Sequence, residues 1–83
     1  MLIHSPKELA LFISTQRKKH KKSQALIGNS VGLKQTTVSA FENKPESTQL
    51  ETLFKILSAA NLDLRISPKN ETPADKNKWK KEW

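Results

Sequence analysis

Arg17, Lys18, Lys19, Lys21 and Lys22 place five positive charges in six consecutive positions, interrupted only by His20. Cations at that density suit one chemistry in particular: contact with phosphate oxygens, where each lysine or arginine displaces a counterion condensed on a nucleic-acid backbone. A basic run can also be no more than a solvated face. Position favours the backbone reading, because this run ends just before residues 24–41, QALIGNSVGLKQTTVSAF, whose spacing is that of a helix-turn-helix. The whole chain of 83 residues is basic too, with 15 Lys and Arg against 8 Asp and Glu and a formal charge of +7.

Other chemistries lack their parts. With no cysteine there is no disulfide staple, catalytic thiol or thiolate metal site. His4 and His20 are the only imidazoles, and neither has an acidic cluster beside it, so they read as polar surface residues with no metal or cofactor to hold. No nucleophile–base pair or phosphate-cradling glycine loop is visible, and capping or groove contact accounts for the polar residues that have a job. A binding module is therefore expected, not an enzyme. No window approaches eighteen apolar residues and no charged-then-apolar leader opens the sequence, so a soluble, cytoplasmic protein without a membrane partner is expected.

These side chains need a frame to position them. Two short helices that cross steeply require apolar residues where they face each other. They also need a small residue at the closest approach and a turn that glycine makes without steric cost. Ile27 and Val31 stripe the first helix, Gly28 is the small residue, Gly32 turns the corner, and Leu33, Val38 and Phe41 stripe the second. Gly28 and Gly32 are the only glycines in the chain.

Around the motif, Ser5-Pro6-Lys7-Glu8 combines an N-cap serine, a first-turn proline and a capping-box glutamate. It opens a helix striped by Leu9, Phe12 and Ile13 that runs to about His20. Ser23 can cap the second helix, roughly Gln24 to Val31, and the third runs from Lys34 or Gln35 to Glu42. Residues 43–47 read as a loop. Thr48 to Glu51 reads as another capping box, opening a fourth helix with Leu50, Leu53, Phe54, Leu57 and Ala60 on the face that closes the core. Asn61 suits a left-handed helix end.

From Leu62 the period changes. Leu62-Asp63-Leu64-Arg65-Ile66 alternates strictly, as a half-buried strand does, and no second strand exists in the chain to pair with it. The same strand of a second copy would serve, making a two-stranded lid across a twofold axis; the other reading is an extended segment packed on its own domain. Residues 68–83 are polar, proline-containing and charged, with five lysines against Glu71, Asp75 and Glu82, the composition of a flexible tail. Trp79 and Trp83 are out of character there and read as anchors for a partner's pocket. The fold class is thus mainly α: a compact four-helix domain over residues 1–61, a dimerisation β-strand over 62–67 and a flexible C-terminal tail over 68–83.

In Ser5-Pro6, in GLKQTTVSAFEN from Gly32 to Asn43, and in TQLETLFKIL from Thr48 to Leu57, the chain resembles the repressor-type helix-turn-helix proteins of the phage-repressor and Cro superfamily. Within that superfamily it most resembles the HipB-like antitoxins, autorepressor partners of HipA-type kinase toxins. The alternating strand and the terminal Glu82-Trp83 extend this closer match. The resemblance implies a partly buried ion pair between Arg17 and Glu42. It implies base-reading positions at Lys34, Gln35 and Thr36, with Ser39 one turn on. Gln can bond adenine bidentately, Lys can donate to guanine, and a Thr methyl can pack on a thymine methyl. It places the phosphate contacts on Gln24, with Ser23, Thr37 and Asn43 beside it and Lys18 and Lys22 from the basic run.

The resemblance further implies a homodimer on palindromic double-stranded operator DNA and a HipA-like kinase toxin as partner, with a third accessory protein sharing the neutralising role in some related systems. A stand-alone regulator without a toxin, and an adaptor whose basic surface meets an acidic protein, are the competing readings. Three departures stand out. Lys21-Lys22 occupies the turn where the superfamily usually has glycine and an apolar residue, leaving that loop's shape open. Gly28 replaces the usual alanine, lowering helix propensity by about 1 kcal/mol. Leu26 sits at a position that is often polar and outward-facing.

Overall fold

Ser5 opens the first helix in the computed structural model, which describes residues 2–69. Its hydroxyl accepts from the Glu8 N–H at 3.1 Å, and α1 runs from Pro6 to Lys19. Glu8 returns its carboxylate to the N–H of His4 at 2.6 Å, one residue before the N–H that a capping box would use. The second helix, α2 (Gln24–Ser30), starts at Ser23, whose hydroxyl accepts from the Leu26 N–H at 3.0 Å. After the Gly32 turn, α3 runs from Gln35 to Asn43.

The segment read as a loop forms a single 3-10 turn, Pro45–Ser47, with Pro45 buried. That turn alters the start of the last helix. The Thr48 N–H donates to the Pro45 carbonyl at 3.1 Å, so Thr48 closes the 3-10 turn instead of capping the helix. The first helical carbonyl is that of Gln49, which accepts from the Leu53 N–H at 3.0 Å. Accordingly α4 spans Leu50–Ala59 with no side-chain cap, and the Thr48–Glu51 capping box does not form.

Four side chains, one per helix, are the largest to be fully buried: Ile13, Ile27, Val38 and Ile56. Ala10, Phe41, Leu57 and Ala60 complete the core, with Leu9, Leu33, Leu53, Ala59 and Leu62 packed around it. The expected face of α4 is therefore rotated. Leu53, Ile56, Leu57 and Ala60 follow the three- and four-residue steps of an inward stripe, whereas Leu50 is 69% and Phe54 52% exposed. α4 carries more apolar residues than one core-facing stripe can bury, and the sequence pattern alone did not separate the two. Ile56, and Ala10 on α1, are core residues outside the expected stripes.

Residues 62–68 carry no regular secondary structure, so the expected strand is not formed within the described single chain. A lone segment has no backbone partner with which to build a ladder. Leu62 packs against the core, but Leu64 is 42% and Ile66 88% exposed. The expected anchors Trp79 and Trp83, and the whole chain from residue 70, lie outside the described residues. Among the described residues no helix is long and apolar enough to cross a membrane.

Candidate nucleic-acid interface

Gly28 sets how closely the two helices of the motif approach. A Cβ built there would lie 2.5 Å from the Leu33 backbone carbonyl oxygen, too close for any real contact. The Gly28 carbonyl in turn accepts from the N–H groups of Val31 at 3.1 Å and Leu33 at 2.8 Å. The departure from alanine is thus a packing requirement of this chain, not merely a loss of helix propensity. Gly32, at φ +74°, makes the left-handed turn and brings the start of α3 against α2.

A chain of polar contacts then ties α1 to the exposed end of α3. Arg17 donates from Nε to Glu42 Oε2 at 2.8 Å and from its terminal nitrogen to Glu42 Oε1 at 3.0 Å. Its other terminal nitrogen donates to the Lys22 carbonyl at 2.9 Å. The Arg17 and Glu42 side chains are only 10% and 9% exposed, so the expected ion pair forms in a largely dry setting. Gln24 continues the chain: its amide nitrogen donates to Glu42 Oε1 at 3.0 Å, and its amide oxygen accepts from Gln35 Nε2 at 3.1 Å. Sequence reasoning assigned Gln24 and Gln35 separate roles and missed that they are joined. Eleven residues separate them, and only the folded motif puts the amides face to face.

Burial by itself would raise the Glu42 pKa. The Arg17 and Gln24 hydrogen bonds, with the positive charges of Arg17 and Lys18, outweigh it and hold the carboxyl below the ordinary glutamate value. Glu42 is therefore a fixed anion that orients Gln24 and, through it, Gln35.

Lys34, Gln35 and Thr36 are all exposed at the start of α3, where no side chain caps the helix. Ser39 is half-buried one turn on, its hydroxyl accepting from Asn43 Nδ2 at 3.3 Å. Thr37 is half-buried, and its N–H donates to the Lys34 carbonyl at 3.0 Å. Ser23 is exposed with its hydroxyl engaged as the cap of α2. Lys18 is exposed and Lys22 half-buried at the end of α1 and its turn. The open question of that turn's shape is answered by its main chain. Lys21 N–H donates to the Lys18 carbonyl and Lys22 N–H to the Arg17 carbonyl, both at 3.0 Å, the paired bonds of a Schellman end. The usual glycine-type turn is kept, with Lys21 at φ +58° in the glycine's place. Leu26 is 52% exposed, outward as its position implies.

Two helices locked this closely, with a run of polar side chains exposed at the start of the second and cations at the flank, define a helix-turn-helix protein. Residues 13–66 match the helix-turn-helix family. Over 82 residues the chain is 35% identical to Antitoxin HipB of Escherichia coli (strain K12), covering 98% of this chain and 93% of that one. It is equally identical to Antitoxin HipB of Escherichia coli O6:H1, covering 98% and 87%. The solved HipB-O4 20mer complex superposes with a TM-score of 0.81 at 34% identity, covering 84% of this chain and 99% of that one. For the solved HipA-HipB-O2-O3 complex the TM-score is 0.82, at the same identity and coverage. The chain belongs to the HipB antitoxin family.

Proposed function

We propose that this chain is a sequence-specific DNA-binding repressor and the antitoxin of a HipA-like kinase toxin, working as a homodimer on a palindromic operator. The observation that carries the DNA-binding part is the Arg17–Glu42–Gln24–Gln35 chain, which presents a preoriented amide at the start of α3 beside a basic turn. A base reader held this way loses little side-chain freedom on binding. Lys34, Gln35, Thr36 and Ser39 read base edges in the major groove; Ser23, Gln24, Thr37, Asn43, Lys18 and Lys22 fix the register on the phosphates. Its relatives support the remainder: Antitoxin HipB in two strains of Escherichia coli, and the solved HipA-HipB-O2-O3 complex.

Dimerisation rests on an apolar surface that one copy leaves open. Leu2, Ile3, Leu50, Leu53, Leu64 and Ile66 line one shallow hollow beside α4. Pairing of residues 62–66 with the same segment of a second copy would give those residues a ladder and cover Leu64 and Ile66. Trp79 and Trp83 are the proposed toxin-binding anchors. Deleting residues 70–83 tests the antitoxin part. Operator binding persists while affinity for the kinase falls; a truncated chain that holds the kinase as tightly as the full chain removes the tail from the account.

A further inference from the structure

Three residues of the described chain adopt positive φ: Lys21, Gly32 and Asn61. Glycine enters that region freely, and asparagine is among the few other residues that visit it readily. Lysine is not, so Lys21 is the odd one of the three. The two Schellman ends make the contrast sharp, because they are built alike. At the end of α4, Asn61 N–H donates to the Ser58 carbonyl at 3.1 Å and Leu62 N–H to the Leu57 carbonyl at 2.9 Å, with a tolerant residue at the left-handed position. At the end of α1 the same two bonds form with Lys21 there instead. Among the described residues the Lys21 side chain is exposed and makes no hydrogen bond or ion pair that would repay the conformation within the fold.

We propose that Lys21 is a DNA phosphate contact, retained at a strained position because the turn aims it beside the recognition helix. Strain of this kind persists where the surrounding structure fixes it and function uses it. The turn is rigidly mounted: two main-chain bonds close it, and Arg17 grips the carbonyl of Lys22 at 2.9 Å. Three residues on, Gln24 bonds Gln35 of α3, which puts the turn on the flank of the exposed end of α3. A lysine ammonium there meets the backbone next to the groove that α3 enters. The proposal rests on the DNA-binding reading above and adds a residue that trades fold stability for affinity.

The test pairs thermal melting with fluorescence anisotropy on a labelled mixed-sequence duplex over a salt series, phosphate contacts being sequence-independent. Lys21→Gly raises the melting temperature by about 2–6 °C yet weakens DNA binding roughly three- to tenfold, with a salt slope shallower by about one unit per protomer. Lys21→Arg keeps the charge and restores affinity and slope. Lys55→Ala, on α4, controls for net charge and leaves the slope unchanged. If Lys21→Gly binds as the natural chain does, or if Lys55→Ala loses as much, the role of Lys21 is overturned. If Lys21→Gly melts lower, the strain is absent and that half of the proposal falls. A natural chain that gives no salt-dependent binding at all overturns the DNA-binding reading itself.

Discussion

Arg17 and Glu42, 25 residues apart, meet through two parallel hydrogen bonds of 2.8 and 3.0 Å at the junction of α1, α2 and α3. The pair is nearly dry, so its attraction is offset by the cost of taking two charges out of water. Its value lies in geometry, since the same two side chains hold the Lys22 carbonyl and the Gln24 amide. That balance makes the single and double substitutions differ. Glu42→Ala leaves a partly buried guanidinium without its partner and is expected to cost about 1–3 kcal/mol in urea unfolding. Arg17→Met combined with Glu42→Leu should recover most of the loss, while leaving Gln24 and Gln35 without an anchor and weakening operator binding.

The same carboxyl sets an acid limit. The folded-state pKa of Glu42 is lowered, so its ionised form contributes stability that is fully present above the ordinary glutamate range and is lost as pH falls through the depressed native value. Urea midpoints followed from neutral pH into acid should decline in that window. Glu42→Gln, uncharged throughout, should show a flatter decline there, and an unchanged slope would remove Glu42 from the acid response.

Gly28→Ala opposes two effects of known sign. Helix propensity favours alanine by about 1 kcal/mol, but the added methyl meets a backbone carbonyl at 2.5 Å, which cannot swing aside as a flexible side chain can. Overpacking of that kind costs about 1–3 kcal/mol. A net loss of stability is expected, with weaker DNA binding because α3 must shift relative to α2. A more stable variant would show that the two helices separate at no cost.

Ile66→Asp separates folding from assembly. The side chain is 88% exposed in the single chain, and substitution at such a position changes domain stability by only about 0.5 kcal/mol. If residues 62–66 pair across the twofold, a buried unpaired aspartate should convert the dimer into folded monomers in sedimentation equilibrium. A dimer that survives intact locates the interface elsewhere.

The motif was legible because its signals are local or strictly spaced. Gly28, Gly32, Ile27, Val38 and Phe41 occur where two crossing helices need them, and Ser5 and Ser23 cap the helices they precede. What escaped was decided by tertiary context. The 3-10 turn at Pro45–Ser47 takes the Thr48 N–H and so moves the start of α4. The choice between Ile56 and Phe54 for the core depends on how α4 is rotated against α2, which a helix apolar on two adjacent stripes does not reveal. The left-handed Lys21 was visible only as an unusual residue in a turn that normally carries glycine. The Gln24–Gln35 contact follows from the crossing of two helices and from nothing in either segment alone.

Gln35→Ala should relax the preference at one base pair by about 1–3 kcal/mol, leaving the affinity for mixed-sequence DNA nearly unchanged. A uniform loss over all sequences would make Gln35 a positioning residue rather than a base reader.

Hydroxyl-radical footprinting on a selected high-affinity duplex tests the central claim most directly. A homodimer that reads DNA through two copies of α3 should protect two inverted half-sites, their centres about 34 Å apart on one face of the duplex. Protection of a single half-site, or of two direct repeats, would contradict it.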